Sequence, residues 1–196
     1  DSVLIPQPSY PLFDYLATLS DVIPEPYRLV YDSDWQVDVA GLKRAIQLET
    51  RAILLVNPNN PTGSFIKERE LSLMNQVCEQ HSLALIADEV FSDYAFSEER
   101  DRVKSFATNE EALTFTLGGL SKGAGLPQMK LAWMVVSGPA KLRDNAIARL
   151  EVIADTYLSL NTPSQNALAH WLQLVPGIQK EIMTRLLSNR GFLIEQ

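Results

Sequence analysis

The sequence predicts an α/β fold in which a mostly parallel sheet lies between two layers of helices. Short apolar segments typical of strands alternate with longer segments that have the apolar spacing of helices. The runs at 52–56 and 83–87 are apolar on both faces, as expected for strands that helices cover on each side. We therefore expect a three-layer sandwich, and 196 residues suffice for one substantial core.

The elements follow one another in a regular order along the chain. The strand-like runs are SVLIP, YRLVYD, AILLV, LALIAD, LTFTLG and LAWMVVSG. The helical segments that separate the first four runs are YPLFDYLATLSD, DVAGLKRAIQ and KERELSLMNQVCEQHS. We expect Asp38 to cap the second helix and Met74 and Cys78 to face the core from the third. Pro139 starts a long helix, and the pattern from Pro163 onward is helical only.

Composition excludes several classes of function. The net charge is −7 and no basic cluster is present, which argues against a surface for nucleic acid. No apolar run reaches the length of a membrane span, so we expect no membrane partner. The two histidines, His81 and His170, are isolated and predict no metal site. The single cysteine, Cys78, forms no intrachain disulfide, and we expect a cytoplasmic protein.

Three polar stretches each follow a predicted strand. They are NPNNPTG at 57–63, ADEVFSDY at 87–94 and GGLSKGAG at 118–125. Ligands of open α/β sheets bind beyond the carboxyl ends of the strands. We therefore expect these stretches to converge at one edge of the sheet.

Each stretch carries at least one side chain that could bind a ligand or take part in a reaction. The prolines stiffen a turn that presents Asn57 and Asn60, whose amides can donate to a ligand oxygen. Asp88 ends an apolar strand, where it caps a neighbouring helix or meets a cationic partner such as a protonated heterocycle nitrogen. Lys122 is either a solvated surface lysine or, if partly desolvated, a nucleophile toward a carbonyl.

The three stretches together resemble the class I/II aminotransferases, which are pyridoxal-phosphate enzymes of the aspartate-aminotransferase fold. NPNNPTG, ADEVFSDYAF and SKGAGLPQMKLAW occur here in the family's order and spacing. The likeness extends from PSYP near the start through LSLNTPSQNAL to RLLSNR near the end. It implies the large, cofactor-binding domain of that fold.

The resemblance implies a role for six residues. Lys122 would form the Schiff base with pyridoxal phosphate and move the proton between substrate and cofactor. Asp88 would pair with the pyridinium nitrogen, so that the ring accepts carbanion electrons. Asn60 would donate to the phenolic oxygen, and Tyr10 would stack on the ring or only cover the core. Ser121 and Lys130 would bind the phosphate.

The chain departs from the family pattern at several matched positions, and three of the departures concern cofactor binding. Phe91 stands where a tyrosine usually donates to the phenolic oxygen, and Tyr94 lies nearby in the sequence. Lys130 stands where an arginine usually binds the phosphate, which keeps the charge without the bidentate fork. Gly119 stands where a serine or threonine is common, so Ser121 is the hydroxyl left in that turn.

The resemblance also predicts how the chain is organised. It implies the cofactor-binding large domain at 1–158, lacking its first part, and a helical connection at 159–196 toward a second domain. We expect a fragment of a longer homodimeric protein, since the chain opens with Asp1 and both ends of the family pattern are absent.

The leading hypothesis for function is exchange of an amino group between an amino acid and a 2-oxo acid, in biosynthetic amino acid metabolism. A lyase or synthase of the same fold remains open, as does a non-catalytic cofactor-binding sensor domain of a transcription regulator. A degraded homologue without activity is a further alternative, because of Phe91, Gly119 and Lys130.

Overall fold

A computed structural model describes residues 1–97, 101–157 and 160–196. Its strands are β1 (Ser2–Gln7), β2 (Ile23–Tyr31), β3 (Trp35–Val37), β4 (Thr50–Val56), β5 (Ala84–Asp88), β6 (Thr114–Gly119) and β7 (Ala132–Ser137). Its helices are α1 (Leu12–Leu19), α2 (Val39–Ala45), α3 (Glu68–His81), α4 (Leu120–Gly123), α5 (Ala140–Tyr157) and α6 (Thr162–Ile194). The predicted alternation of strands and helices is confirmed.

The strands form one seven-stranded sheet in the order β3-β2-β1-β4-β5-β6-β7. The central strands, from β2 to β6 in that order, run parallel to their neighbours. Only β3 and β7, at the two ends of the sheet, pair antiparallel. The mostly parallel sheet of an α/β fold is therefore confirmed. The parallel strands all end at one edge, here called the carboxyl edge, where the antiparallel β7 begins.

The main core lies between the sheet and helices α2 and α3. Leu42 of α2, Met74 of α3 and Leu85 of β5 are completely buried there, together with Ile53 and Leu55 of β4. Burial of an aliphatic side chain of this size contributes about 2 kcal/mol. Six of the seven residues of β4 are buried, which accounts for its uninterrupted apolar sequence.

The local predictions about α2 and α3 are confirmed. The Asp38 carboxylate accepts a hydrogen bond from the Gly41 amide at 2.8 Å and so caps α2. Met74 and Cys78 are buried on the inner face of α3. Burial raises the pKa of the Cys78 thiol to about 12, so this cysteine is a small core residue that stays protonated.

The helical sequence after Pro163 forms one 33-residue helix, α6, that continues through Pro176. Proline has no amide hydrogen, so the carbonyl of Leu172 lacks its normal helical partner at this point. The first half of α6 packs against a small second core of Leu120, Ala124 and Leu131. None of the helices in the described ranges is long and apolar enough to cross a membrane.

Candidate active site

Hydrogen bonds join the carboxyl ends of four neighbouring strands, or the residues that follow them, along the carboxyl edge. Asn59, after β4, donates its side-chain amide to the carbonyl of Pro8, after β1, at 3.1 Å. The backbone amide of Asn57 donates to the Asp88 carbonyl at 2.8 Å, and that of Glu89 donates to the Leu117 carbonyl at 3.0 Å. The expected convergence of the polar stretches therefore matches the sheet order β1-β4-β5-β6.

The turn after β4 contains two asparagines that were predicted to face a ligand, and they differ in burial. Asn57 is completely buried; its amide nitrogen donates to the Val103 carbonyl at 3.3 Å and its oxygen accepts from the Ile66 amide at 2.9 Å. The prediction that Asn57 presents its amide to a ligand is therefore wrong, because both ends of that amide are used within the core. Asn60 has an exposed side chain.

Asp88 is the last residue of β5 and is partly buried. Its carboxylate accepts a hydrogen bond from the Val90 amide at 3.0 Å, and no cationic side chain of the described residues pairs with it. Desolvation by burial raises the pKa of this carboxyl, and the hydrogen bond from Val90 only partly offsets that effect. Asp88 thus retains the capacity to accept a cationic partner.

The neighbouring acid, Glu89, has a different environment. Its carboxylate accepts hydrogen bonds from the Phe106 amide at 2.5 Å and from the Ser105 hydroxyl at 2.9 Å. Burial raises the pKa of this carboxyl as well. Because two donors from the 105–106 segment occupy Glu89, we interpret it as a support for that segment rather than as a ligand-binding residue.

Lys122 lies in α4, a helix of one turn that begins directly after β6. The first residue of α4, Leu120, is 1% exposed and anchors the turn in the second core. The lysine side chain is exposed, and its Nζ lies 5.6 Å from the centre of the Phe91 ring, in the range of a cation–π contact. Ser121 is partly buried beside it. The structure thus brings Lys122 into contact with the loop that follows Asp88.

Contacts to the backbone of α4 come from residues that the sequence did not single out for this role. The Tyr94 hydroxyl donates to the Lys122 carbonyl at 2.7 Å. The Gln179 side chain, in α6, donates to the Gly123 carbonyl at 3.1 Å and to the Asp93 carboxylate at 2.8 Å. The partners are 28 and 56 residues apart in sequence, and no local pattern signals such contacts.

Lys130 lies close to the carboxyl edge, just before the antiparallel β7. It follows a short 3-10 turn at Pro127–Met129 and has a left-handed backbone, with φ of 51° and ψ of 39°. The Leu120 amide donates to the Leu131 carbonyl at 3.1 Å, which joins the residue after Lys130 to the start of α4. The Lys130 side chain is exposed.

The glycine at 119 is explained by its neighbours. A Cβ atom at Gly119 would lie 3.1 Å from the Leu131 carbonyl oxygen and 3.3 Å from the Ala132 Cα. A serine or threonine at this position would therefore need β7 to move by a few tenths of an ångström. The departure from the hydroxyl expected at this position is thus consistent with close packing of β6 on β7.

Tyr10 follows β1 at the same edge. The residue is 47% exposed, and its ring packs edge-on against Phe13, with 6.2 Å between ring centres. The expected alternative of an aromatic that only covers the core does not fit this exposure. The bond between Asn59 and the Pro8 carbonyl places the Tyr10 loop next to the loop that carries Asn60.

A pocket of about 360 Å³ also opens near α4, but it is not formed by the predicted site residues. Leu120 and Gly123 line it, with Glu89, Trp133 and Gln179, whereas Lys122 and Asp88 do not. The predicted site residues instead lie along the exposed carboxyl edge, at the end of β5, in α4 and in the neighbouring loops.

The fold and the residues at the carboxyl edge of the sheet indicate the class of protein. The family model of the class I and II aminotransferases matches residues 1–196, and the chain belongs to that family.

Two relatives and one solved structure show how similar known members are. The glutamate-pyruvate aminotransferase AlaA of Escherichia coli (strain K12) is 33% identical over 169 residues, which are 86% of this chain and 41% of that protein. The alanine aminotransferase of Mycobacterium bovis is 30% identical over the whole chain, which matches 44% of that protein. The alanine aminotransferase structure from Pyrococcus furiosus superposes with a TM-score of 0.84 at 27% identity, covering 98% of this chain and 49% of that one. The chain thus spans less than half the length of these two curated relatives.

The residues of the carboxyl edge fit the cofactor of this family, pyridoxal phosphate. Among similar structures, the C–S lyase of Staphylococcus hominis, which shares the fold at 19% identity, carries it. Asp88 is a partly desolvated carboxylate with one hydrogen bond, which suits a protonated ring nitrogen. Lys122 projects an exposed amine from the adjacent strand end, and Lys130 supplies a second cation near the start of α4.

Proposed function

We propose that the protein containing this chain is a pyridoxal-phosphate-dependent aminotransferase that uses Lys122 to hold the cofactor. The observation that carries the proposal is the position of Asp88 and Lys122 at the carboxyl ends of two adjacent strands. Asp88 is an acid without a cationic partner in the described part of the chain, and Lys122 presents an exposed amine one strand away. Membership of the class I and II family supports this assignment.

Lys122 and Asp88 have different roles in the proposed reaction. Pyridoxal phosphate, when bound, supplies an electron sink for the bonding electrons of the substrate carbon. The Nζ of Lys122 would hold the cofactor by its aldehyde group and would move a proton during turnover. The Asp88 carboxylate would hold the protonated ring nitrogen of the cofactor; a charge pair at contact distance is worth about 4 kcal/mol before desolvation costs.

The remaining site residues bind and orient the cofactor. We assign the exposed Asn60 amide to the phenolic oxygen and the Tyr10 ring to stacking. We assign Ser121 and Lys130 to the phosphate, since Gly119 offers no hydroxyl. Phe91 donates no hydrogen bond, and the Tyr94 hydroxyl is already directed to the Lys122 carbonyl, which leaves the phenolic oxygen to Asn60.

The names of two relatives support a proposal for the substrates. The first relatives named above act on glutamate, pyruvate and alanine by their names, so we assign alanine and glutamate as amino donors, with the matching 2-oxo acids as acceptors. We place the protein in the cytoplasm as a homodimer active in amino acid biosynthesis, with no nucleic-acid or membrane partner.

We assign 1–158 to the cofactor-binding domain and 159–196 to a helical connection that leads to a second domain. The boundary itself, at residues 158 and 159, lies outside the described residues. The single long helix α6, which packs on α4 by its first half, supports this division.

The test uses the full-length protein with added pyridoxal phosphate. Reduction with borohydride followed by digestion should leave the cofactor mass on the peptide that contains Lys122. Lys130, eight positions later, serves as an internal control, and label on Lys130 alone would contradict the assignment. Alanine and glutamate, added singly, should bleach the absorption of the bound cofactor, whereas a colour that no amino acid changes would exclude transamination.

A further inference from the structure

The turn that carries Lys122 has little structure of its own. Helix α4 has four residues, and its closing bonds are the 3.1 Å contacts from the amides of Ala124 and Leu126 to the Leu120 carbonyl. An isolated helical turn is unstable in water because too few hydrogen bonds compensate the loss of backbone entropy. The backbone position of Lys122 therefore depends on groups outside α4.

Two side chains from different elements bind the carbonyls of this turn. The Tyr94 hydroxyl donates to the Lys122 carbonyl at 2.7 Å. The Gln179 amide nitrogen donates to the Gly123 carbonyl at 3.1 Å and also to the Asp93 carboxylate at 2.8 Å. Both acceptors in the turn are main-chain atoms, so these bonds fix the backbone from which the lysine side chain projects.

We propose that Tyr94 and Gln179 are positioning residues that hold Lys122 between the loop after β5 and helix α6. This proposal rests on the proposed role of Lys122 as the cofactor attachment point. Tyr94 lies on the loop that follows Asp88, six residues further on, so its hydrogen bond couples the Lys122 backbone to this loop. Gln179 couples the same turn to the long helix.

The apolar packing around α4 supports the connection to α6. Leu120 and Ala124, 1% and 3% exposed, pack against partly buried residues of α6 that include Leu168, Trp171 and Val175. Gln179 lies one helical turn beyond Val175 and continues this contact with polar groups. Burial and the nearby Asp93 carboxylate raise the pKa of Tyr94, which keeps its hydroxyl protonated and able to donate at neutral pH.

The first measurement is made on the cofactor-free, full-length protein. Tyr94→Phe removes one donor with almost no change in volume, and Gln179→Leu removes the other. Matched controls are Tyr31→Phe, at a ring that is 66% exposed, and Gln173→Leu, at an exposed position of the same helix. Loss of one hydrogen bond should make amide hydrogen exchange of the 120–126 segment about fivefold faster in each test variant and leave it unchanged in the controls.

The second measurement uses the protein loaded with pyridoxal phosphate. Each test variant should shift the pH at which the absorption of the bound cofactor changes, and should lower kcat about fivefold with a smaller change in KM. Unchanged exchange in both test variants overturns the proposal. Faster exchange with an unchanged pH titration and kcat also overturns it, because the bonds would then stabilise the turn without positioning the lysine.

The two proposals fail in different ways. If the unsubstituted protein captures no cofactor at Lys122, the proposed function is wrong. If it captures the cofactor and the Tyr94→Phe and Gln179→Leu variants behave like their controls, only the positioning role is wrong. The exchange measurement needs no cofactor and so reports on the two hydrogen bonds in either case.

Discussion

The turns that follow β4 and β6 lie at the same edge of the sheet, but they use their polar side chains in opposite ways. In the first turn, Asn57 is completely buried and both ends of its amide bond to backbone groups. In the second, the Lys122 side chain is exposed beside the Phe91 ring, and its backbone carbonyl accepts a hydrogen bond from the Tyr94 hydroxyl. The first arrangement stabilises the fold, and the second leaves a reactive group available.

Asp88, on the strand between these turns, shows that leaving a polar group without a protein partner has an energetic cost. A carboxylate that is removed from water without a compensating cation disfavours its own ionised form. Glu89, one residue later, has two protein donors and contributes to local structure. At this edge, unused hydrogen-bonding capacity therefore separates the candidate site residues from the structural ones.

The largest expected effect is on activity when Lys122 is replaced. Lys122→Ala should lower kcat at least about 10³-fold, because the covalent attachment point and the proton carrier are lost together. The free energy of unfolding should change by less than about 0.5 kcal/mol, since the side chain is exposed. Steady-state kinetics and urea unfolding measure the two quantities. Lys104→Ala, at another exposed lysine, is the control, and comparable activity in the two variants would refute the role of Lys122.

Replacement of Asp88 should separate activity from stability. Asp88→Asn keeps the acceptor for the Val90 amide but removes the charge, and we expect kcat/KM to fall by about 10²- to 10³-fold, as the loss of a contact charge pair implies.

The same substitution should stabilise the cofactor-free protein. Burial raises the pKa of Asp88 in the folded state above its unfolded value, so the folded state binds the proton more tightly. The ionised carboxylate therefore destabilises the fold progressively as the pH rises from the unfolded pKa through the folded pKa. Asp88→Asn should raise Tm at pH 7 and leave it nearly unchanged near pH 3, below about 3.9, the usual pKa of aspartate. A lower Tm at pH 7 would contradict the unpaired state of this acid.

Most of the residues at the carboxyl edge could be predicted from the sequence, because short stretches of sequence identify the strands and the residues that follow them. Buried strands are continuous apolar runs, and the residues directly after them, such as Asp88 and Lys122, must lie at the ends of parallel strands. The burial of Asn57 was not predictable in this way, because Asn57 and Asn60 occupy similar Asn-Pro steps in one turn. Their difference arises from contacts with Val103 and Ile66, which only the folded chain brings together.

The hydrogen bond from the Tyr94 hydroxyl to the Lys122 carbonyl could not be predicted from the sequence either. A tyrosine hydroxyl can reach many backbone carbonyls, and the sequence does not indicate which one it meets. The continuity of α6 through Pro176 also depends on packing, because the intrinsic propensity of proline favours a break at that point. Tertiary contacts decided each of these features.

The two asparagines of the first turn provide a matched comparison. Asn57→Ala should lower the free energy of unfolding by about 2–4 kcal/mol, because the Ile66 amide and the Val103 carbonyl lose their partner inside the core. Asn60→Ala should leave it within about 0.5 kcal/mol and should instead weaken the binding of pyridoxal phosphate. Urea unfolding and cofactor titration distinguish the two. Equal destabilisation by both variants would remove the distinction between a structural and a ligand-facing asparagine.

The smallest expected effect tests the phosphate contact. Lys130→Arg keeps the charge and adds a planar fork that can bind two phosphate oxygens, so we expect about threefold tighter binding of pyridoxal phosphate. The left-handed backbone at this position, with φ of 51°, is equally strained for lysine and arginine, so the comparison isolates the head group. Lys141→Arg, on the exposed surface of α5, is the control and should leave the affinity unchanged. Equal affinity in the two variants would show that the 130 side chain does not reach the phosphate, and the phosphate would then depend on Ser121 and on groups outside this chain.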